Sequence, residues 1–250
     1  MSSLSVVIIT FNEAHNLERC LISVKGVADE IIILDSFSTD STVEIASKMG
    51  AIVKQQPFLG YIQQKNAALE YASNNYVLCL DADEALDEKL ALSIKSVKNN
   101  FSAKAYNFNR CTSYCGRFIK NGSWYPDRKI RLFDKRFAKW GGINPHDKVE
   151  LNDKNEPVQH LQGDMLHFSY YTIEEHLTRI NHYTTIAANA LYSKGVRSNW
   201  IKILIHPLWR FVYGYFMRLG FLDGFYGFII AINCSHETFQ KYIKLYQLQQ

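Results

Sequence analysis

The sequence predicts an α/β protein: a parallel, doubly wound sheet in the first half and a helical, aromatic-rich appendage at the C-terminal end. Three observations carry this. Apolar runs of strand length recur at residues 6–10, 30–35 and 76–81, two of them ending in aspartate. Near-continuous apolar runs are what parallel strands show when helices cover both faces of their sheet. Stretches with helical spacing lie between the runs, so strand and helix alternate for about 100 residues. From Trp200 onward the chain becomes aromatic, with Trp200, Trp209, Phe211, Tyr213, Tyr215 and Phe216 among its residues.

Each element has its own local reason. Residues 6–10 form the first strand, and Phe11-Asn12-Glu13 a turn. Leu17, Cys20, Leu21 and Val24 follow at i, i+3, i+4, i+7, one face of a helix that Gly26 stops. Residues 30–35 form the second strand. Ser41 and Glu44 read as a capping box opening a helix to Met49. Residues 51–55 are the third strand. Gly60 precedes a helix over about 61–73 that carries Gln64, Lys65 and Asn66. Residues 76–81 are the fourth strand, and Asp87 caps a helix with Leu90, Ile94 and Val97 on one face. Short alternating strands, such as 105–109 and 129–133, fill residues 104–168. Thr172 and Glu175 form a second capping box. It opens a long helix with Leu177, Ile180, Thr184, Ala187 and Leu191 on one face, ended by Gly195.

The composition bounds the function. The chain has 250 residues, 47% of them hydrophobic, and a formal net charge of +4. That is enough for one good-sized domain, or a domain with an appendage. Five cysteines lack the spacing of a zinc site and read as free thiols of a reducing compartment. The N-terminus lacks the basic flank and long apolar core of a signal peptide. Residues 110–139 hold nine basic side chains against two acidic ones. Such a patch fits a phosphorylated substrate or an anionic lipid surface, and no nucleic-acid-binding motif accompanies it. The longest uncharged run near the C-terminus, 224–235, is shorter than the ~20 residues needed to span a bilayer. Aromatics with interleaved basic residues suit a helix or hairpin lying in the membrane interface; the competing expectation is an aromatic cap packed on the sheet domain.

The chemistry concentrates where the fourth strand ends, at Asp81-Ala82-Asp83-Glu84. Ligands of open α/β sheets bind off the carboxyl ends of strands. Flanking Ala82 in an extended chain, Asp81 and Asp83 would point to one side. Two hard oxygen donors there suit Mg²⁺ or Mn²⁺, and that cation suits a diphosphate. The plainer alternative is that these acids only end a strand or cap a helix.

Four motifs stand in order: residues 6–13 with Thr10-Phe11-Asn12-Glu13, then Asp35 to Asp40, then Gln64-Lys65-Asn66, then Leu80-Asp81-Ala82-Asp83-Glu84. Together they resemble the family 2 glycosyltransferases with the GT-A fold, and in particular bacterial lipopolysaccharide core glucosyltransferases of the WaaE type. The likeness continues through Asp127 to Phe133 and Pro145-His146-Asp147 into the aromatic tail. It implies a nucleotide-sugar-binding half at 1–110, an acceptor-binding half at 111–170 and a helical membrane-associating extension at 171–250. It further implies Thr10, Glu13, Asp35, Lys65 and Asp81 at the nucleotide, and Asp83, with His167, as ligands of Mn²⁺ or Mg²⁺. Asp147 is implied as the base, supported by His146, although close relatives often carry His-Glu there. Arg128 and Arg131 would meet an acceptor phosphate or the diphosphate. The implied partners are a UDP-sugar, a glycolipid or phosphorylated oligosaccharide acceptor and a membrane surface, with no nucleic acid. The implied place is cytoplasmic, peripheral on the inner membrane, and the implied reaction an inverting transfer of a hexose, glucose first, to the lipopolysaccharide inner core.

Three rival readings compete. A haloacid-dehalogenase-type phosphatase also ends an apolar strand in D-x-D, with Asp81 then the nucleophile; here that strand is fourth rather than first. A sugar nucleotidyltransferase would need a glycine-rich loop after the first strand, where Thr10-Phe11-Asn12-Glu13 stands. A non-catalytic membrane-surface adaptor would have no need of Asp81, Asp83 and Asp147.

Overall fold

The computed structural model describes residues 2–143 and 146–250. In chain order the elements are β1 (Leu4–Thr10), α1 (Ala14–Val24), β2 (Glu30–Asp35), α2 (Thr42–Lys48), β3 (Ile52–Gln55), α3 (Tyr61–Glu70), β4 (Tyr76–Asp81), β5 (Glu84–Leu86) and α4 (Glu88–Lys98). They continue with β6 (Ala105–Tyr114), β7 (Arg117–Phe118), β8 (Asp127–Asp134), β9 (Ala138–Ile143), β10 (His146–Leu151), β11 (Val158–Tyr170), α5 (Ile173–Ser193), α6 (Trp200–Val212) and α7 (Gly224–Gln247). The chain divides into two compact units, Met1–Arg110 with Asp127–Phe168, and Cys111–Pro126 with Ser169–Gln250.

In the first unit β1 lies between β2 and β4, and β3 flanks β2, all parallel. The order β3-β2-β1-β4 is a doubly wound half-sheet, as the alternation predicts. Beyond β4 the pairing becomes antiparallel: β8 on β4, β6 on β8, and β5 on β11. The strand β5 was not legible in the sequence, since three residues are too few to show a period. Alternate side chains of β1 and β4 enter two cores. Val6, Ile8, Leu78 and Leu80 meet α1 through Leu17 and Leu21. Val7, Val77 and Cys79 meet α3 through Ala68 and Leu69. Both faces are covered, which is why these strands read as unbroken apolar runs.

The cap at Asp87 forms as expected: its Oδ1 accepts the Leu90 N–H at 2.7 Å. The capping box at Ser41 does not. Asp40 takes its place, its Oδ1 accepting the Thr42 N–H at 3.0 Å, because a carboxylate one residue earlier is the stronger acceptor. Gly163, at φ +106°, lets β11 pass the start of α4; a Cβ there would sit 2.2 Å from the Leu90 nitrogen.

In the second unit α5 opens with the expected capping box of Thr172 and Glu175. Its buried face is His176, Ile180, Thr184 and Ala188, turned from the expected one, and Leu177 is 43% exposed. The reason is polar: Tyr114 and Asn233 hydrogen-bond the His176 ring at 3.1 Å and draw that side inward. Ile230 and Cys234 of α7 pack there with Tyr114 and Ile119. The aromatic tail therefore packs inward through α7 and also leaves an apolar face of α6 exposed. Among the described residues no single helix is long and apolar enough to cross a membrane; α6 and α7, with the turns between them, reach that length and apolarity only together, as a pair bent by 72°.

Candidate active site

The ends of the parallel strands assemble the site in the first unit. Thr10 pairs in register with Asp35, and Ile9 with Asp81, so β1, β2 and β4 end together. The loops after β1 and β2 are tied to each other. Asn12, in the left-handed region at φ 53°, donates its N–H to Ser38 Oγ at 2.8 Å and accepts the Thr39 N–H on Oδ1 at 2.8 Å. Asp40 accepts the Ala14 N–H at 3.2 Å, so it also steadies the start of α1. Asp35 is fully buried, with Ser38 N–H and Gln55 Nε2 both donating to it at 2.9 Å. As placed, it shapes the loop edge from inside. Thr10 is buried, and its hydroxyl has no hydrogen-bond partner among the described residues. Burial pushes the Glu13 carboxyl above its ordinary value; the Asn16 amide opposes this and the nearby Asp83 charge adds to it.

The centre is a lysine between two aspartates. Lys65, buried on α3, lies 2.9 Å from Asp81 Oδ1 and 2.8 Å from Asp147 Oδ2. Asp147 comes from the β9–β10 hairpin, where it pairs with Gly142. Arg131, buried on β8, reaches Asp81 at 3.2 Å and Glu84 at 3.0 Å. Glu84 is fully buried and also accepts the Asp81 N–H at 2.9 Å. Burial would raise the Asp81 carboxyl, but Lys65 and then Arg131 outweigh it and hold the group well below the usual carboxylate range. Glu84 goes the other way: burial raises it, Arg131 offsets part of that, and the charge on Asp81 adds to the rise. Trp140 of β9 roofs both cations, its ring centroid 4.4 Å from Lys65 Nζ and 5.1 Å from the Arg131 guanidinium carbon. Asn66 fixes that roof by two hydrogen bonds to the Trp140 backbone, at 2.9 and 3.0 Å.

Asp81 and Asp83 do not share an extended strand. The chain turns at Ala82 and Asp83, so the alternation argument fails and the two carboxylates take different partners. His167 Nε2 lies 3.2 Å from Asp83 Oδ2, because β11 pairs His167 with Glu84. A carboxylate and an imidazole, both partly accessible, fit Mn²⁺ or Mg²⁺ as two of its ligands. Among the described residues no cluster of three metal-ligating side chains occurs, so these two would hold such an ion only together with ligands from outside the chain's side chains.

Arg131 thus belongs to the centre, whereas Arg128 of the same strand is exposed. The backbone of His146 begins β10, but its side chain lies outside the described residues, as do Asn144 and Pro145. Sequence reading missed Trp140, which has no local signal, and gave Asn66 no role although its motif was read, because the two meet across 74 residues.

Residues 5–199 match the model of glycosyl transferase family 2, and the chain belongs to that family. An uncharacterized glycosyltransferase of Rickettsia typhi is 34% identical, covering 99% of this chain and 88% of its own. The lipopolysaccharide core biosynthesis glycosyltransferase LpsC of Rhizobium meliloti is 29% identical over 98% of this chain and 92% of its own. Among solved structures, S. aureus TarS aligns over 99% of this chain and 92% of its own with 14% identity and a TM-score of 0.49. The chain is a glycosyltransferase, and membership of this family sets the phosphatase, nucleotidyltransferase and adaptor readings aside.

Proposed function

We propose that the chain is an inverting, metal-dependent hexosyltransferase that moves a hexose, glucose first, from a UDP-sugar to an envelope glycolipid. The best-supported acceptor is the lipopolysaccharide inner core, in keeping with the likeness to LpsC. The donor half is assigned to residues 1–110, the acceptor half to 111–170 and membrane contact to 171–250, on the cytoplasmic face of the inner membrane. The observation that carries the reading is Lys65, which draws Asp147 to the aspartate that ends β4. A base and a donor-side acid then serve one displacement.

In that displacement the acceptor hydroxyl oxygen attacks the anomeric carbon, the bond from that carbon to the diphosphate oxygen breaks, and the hydroxyl proton passes to Asp147. Asp83 and His167 would hold the cation, which when bound supplies Lewis-acid neutralisation of the departing UDP. Lys65 is a compact cation within reach of the same region and would move toward the diphosphate, freeing Asp147. Arg131 and Glu84 hold Asp81 in place. Thr10, Glu13 and the loop built on Asp35 form the nucleotide edge, and the exposed Arg128 is available for an acceptor phosphate.

The test is a thermal-shift panel of UDP, GDP, CDP and TDP, each with and without Mn²⁺ or Mg²⁺. A ligand that binds only the folded chain raises its stability by mass action. The expected result is stabilisation by UDP that needs the metal and vanishes in Asp83→Ala. A metal-independent response would remove the metal role of Asp83, and a preference for GDP, CDP or TDP would remove the UDP assignment.

A further inference from the structure

Helix α6 starts from an Asn199 cap, Oδ1 accepting the Lys202 N–H at 3.0 Å, and carries apolar residues in two directions. Ile203 and Pro207 face inward and are buried. Ile201, Leu204, Ile205 and Leu208, at i, i+3, i+4, i+7, are each more than half exposed. On the flank of that face a cleft of about 540 Å³ opens between α6 and α7. His206, Trp209 and Arg210 line it from α6; Glu237, Lys241 and Tyr242 line it from α7. At 100° per residue Trp209 stands at the border between the cleft and the apolar face.

The cleft is built for an anion. It holds an arginine, a lysine and a histidine against one carboxylate. Neither Arg210 nor Lys241 makes a salt bridge among the described residues. His206 is positioned by Tyr242, whose hydroxyl lies 3.2 Å from Nδ1. Burial lowers the Lys241 ammonium from its ordinary value; Glu237 opposes this, and the Arg210 charge adds to the lowering. An indole beside basic groups on the rim of an exposed apolar face is the arrangement found where a protein meets lipid headgroups.

We propose that this cleft binds the phosphate of an anionic glycerophospholipid headgroup while the outer face of α6 lies at the headgroup–acyl boundary. The inference rests on the membrane-contact reading above and deepens it: it names the lipid class and the residues that select it. Arg210 supplies a forked donor for phosphate oxygens, Lys241 a point charge, and His206 a third donor through Nε2–H when Nδ1 accepts from the Tyr242 hydroxyl.

Vesicle flotation of the full chain tests it, with phosphatidylcholine alone and phosphatidylcholine containing phosphatidylglycerol. The expected result is about ten-fold or greater preference for the anionic vesicles. Arg210→Gln/Lys241→Gln should lose that preference yet keep wild-type recovery on neutral vesicles. Lys194→Gln/Arg197→Gln, which removes two exposed charges of the same unit outside the cleft, should keep it. Equal loss in both double variants would mean diffuse charge attraction and overturn the cleft. An unchanged preference in Arg210→Gln/Lys241→Gln would also overturn it, leaving membrane contact intact. Failure of the wild type to float with either vesicle would overturn the membrane reading itself. Should the double variant unfold, Lys241→Gln alone reads the same preference, and its full retention overturns the proposal.

Discussion

At the scale of single residues, Lys65 does most to organise the site. It bridges Asp81 and Asp147 with a buried ammonium, so neither carboxylate faces the other without a counter-charge. Arg131 and Glu84 close the other side. Asp147→Asn should keep the Lys65–Asp81 pair, because that contact does not involve residue 147. UDP binding, read by titration, should therefore stay within a few-fold of wild type while kcat falls by about 10²-fold or more. An unchanged kcat would remove Asp147 as base. Each of these residue types was visible in the sequence, since acids after apolar strands and a lysine on the intervening helix are local patterns. Their meeting was not visible, because Lys65 and Asp147 stand 82 residues apart. The split of Asp81 from Asp83 was also hidden. It depends on a turn at Ala82 and Asp83 and on the antiparallel pairing of β5 with β11, which spacing alone does not reveal.

At the scale of elements, the parallel half was legible because continuous apolar runs and intervening periodic helices both point to one architecture. The helix α5 shows where that logic stops. Its pattern admits two neighbouring faces, and a buried histidine, not an apolar residue, decides between them. His176 is 3% exposed, in contact with the Tyr114 hydroxyl and the Asn233 amide. Burial, helped by the Arg179 charge, lowers its pKa to about 4. In the unfolded chain the ring titrates near the ordinary value of 6.5. Between those values the unfolded state binds the extra proton, so stability is full above the upper value and falls as pH drops toward the lower one. Urea unfolding at pH 5 should therefore give a free energy about 2 kcal/mol below that at pH 7.5 from this group. His176→Gln should be less stable at pH 7.5 but lose this part of the pH slope. A variant that keeps the wild-type slope would show that other groups cause it.

At the scale of the whole chain, charge and apolarity are unevenly distributed. The +4 net charge arises beyond residue 165, where eight basic side chains face four acidic ones, and the exposed apolar residues of α6 lie in the same stretch. Composition alone could not say whether the tail lies on a membrane or packs on protein, because the two need the same residues. The structure separates them by face: Ile230 and Cys234 of α7 complete a core, while Leu204 and Leu208 of α6 do not. Removing residues 200–250 would therefore expose Tyr114 and Ile119 and confuse unfolding with loss of membrane contact. Leu204→Ser/Leu208→Ser avoids this, since both side chains are 61% exposed. The melting temperature should stay within a few degrees of wild type. Transferring each leucine into lipid is worth about 1.5–3 kcal/mol, so recovery on neutral vesicles should fall by about 10²-fold or more. The measurement belongs at about 0.5 M salt, where screening shortens electrostatic reach to a few ångströms and leaves the apolar contribution standing. Wild-type recovery in this variant would mean that α6 does not enter the lipid and that its apolar face awaits a protein instead.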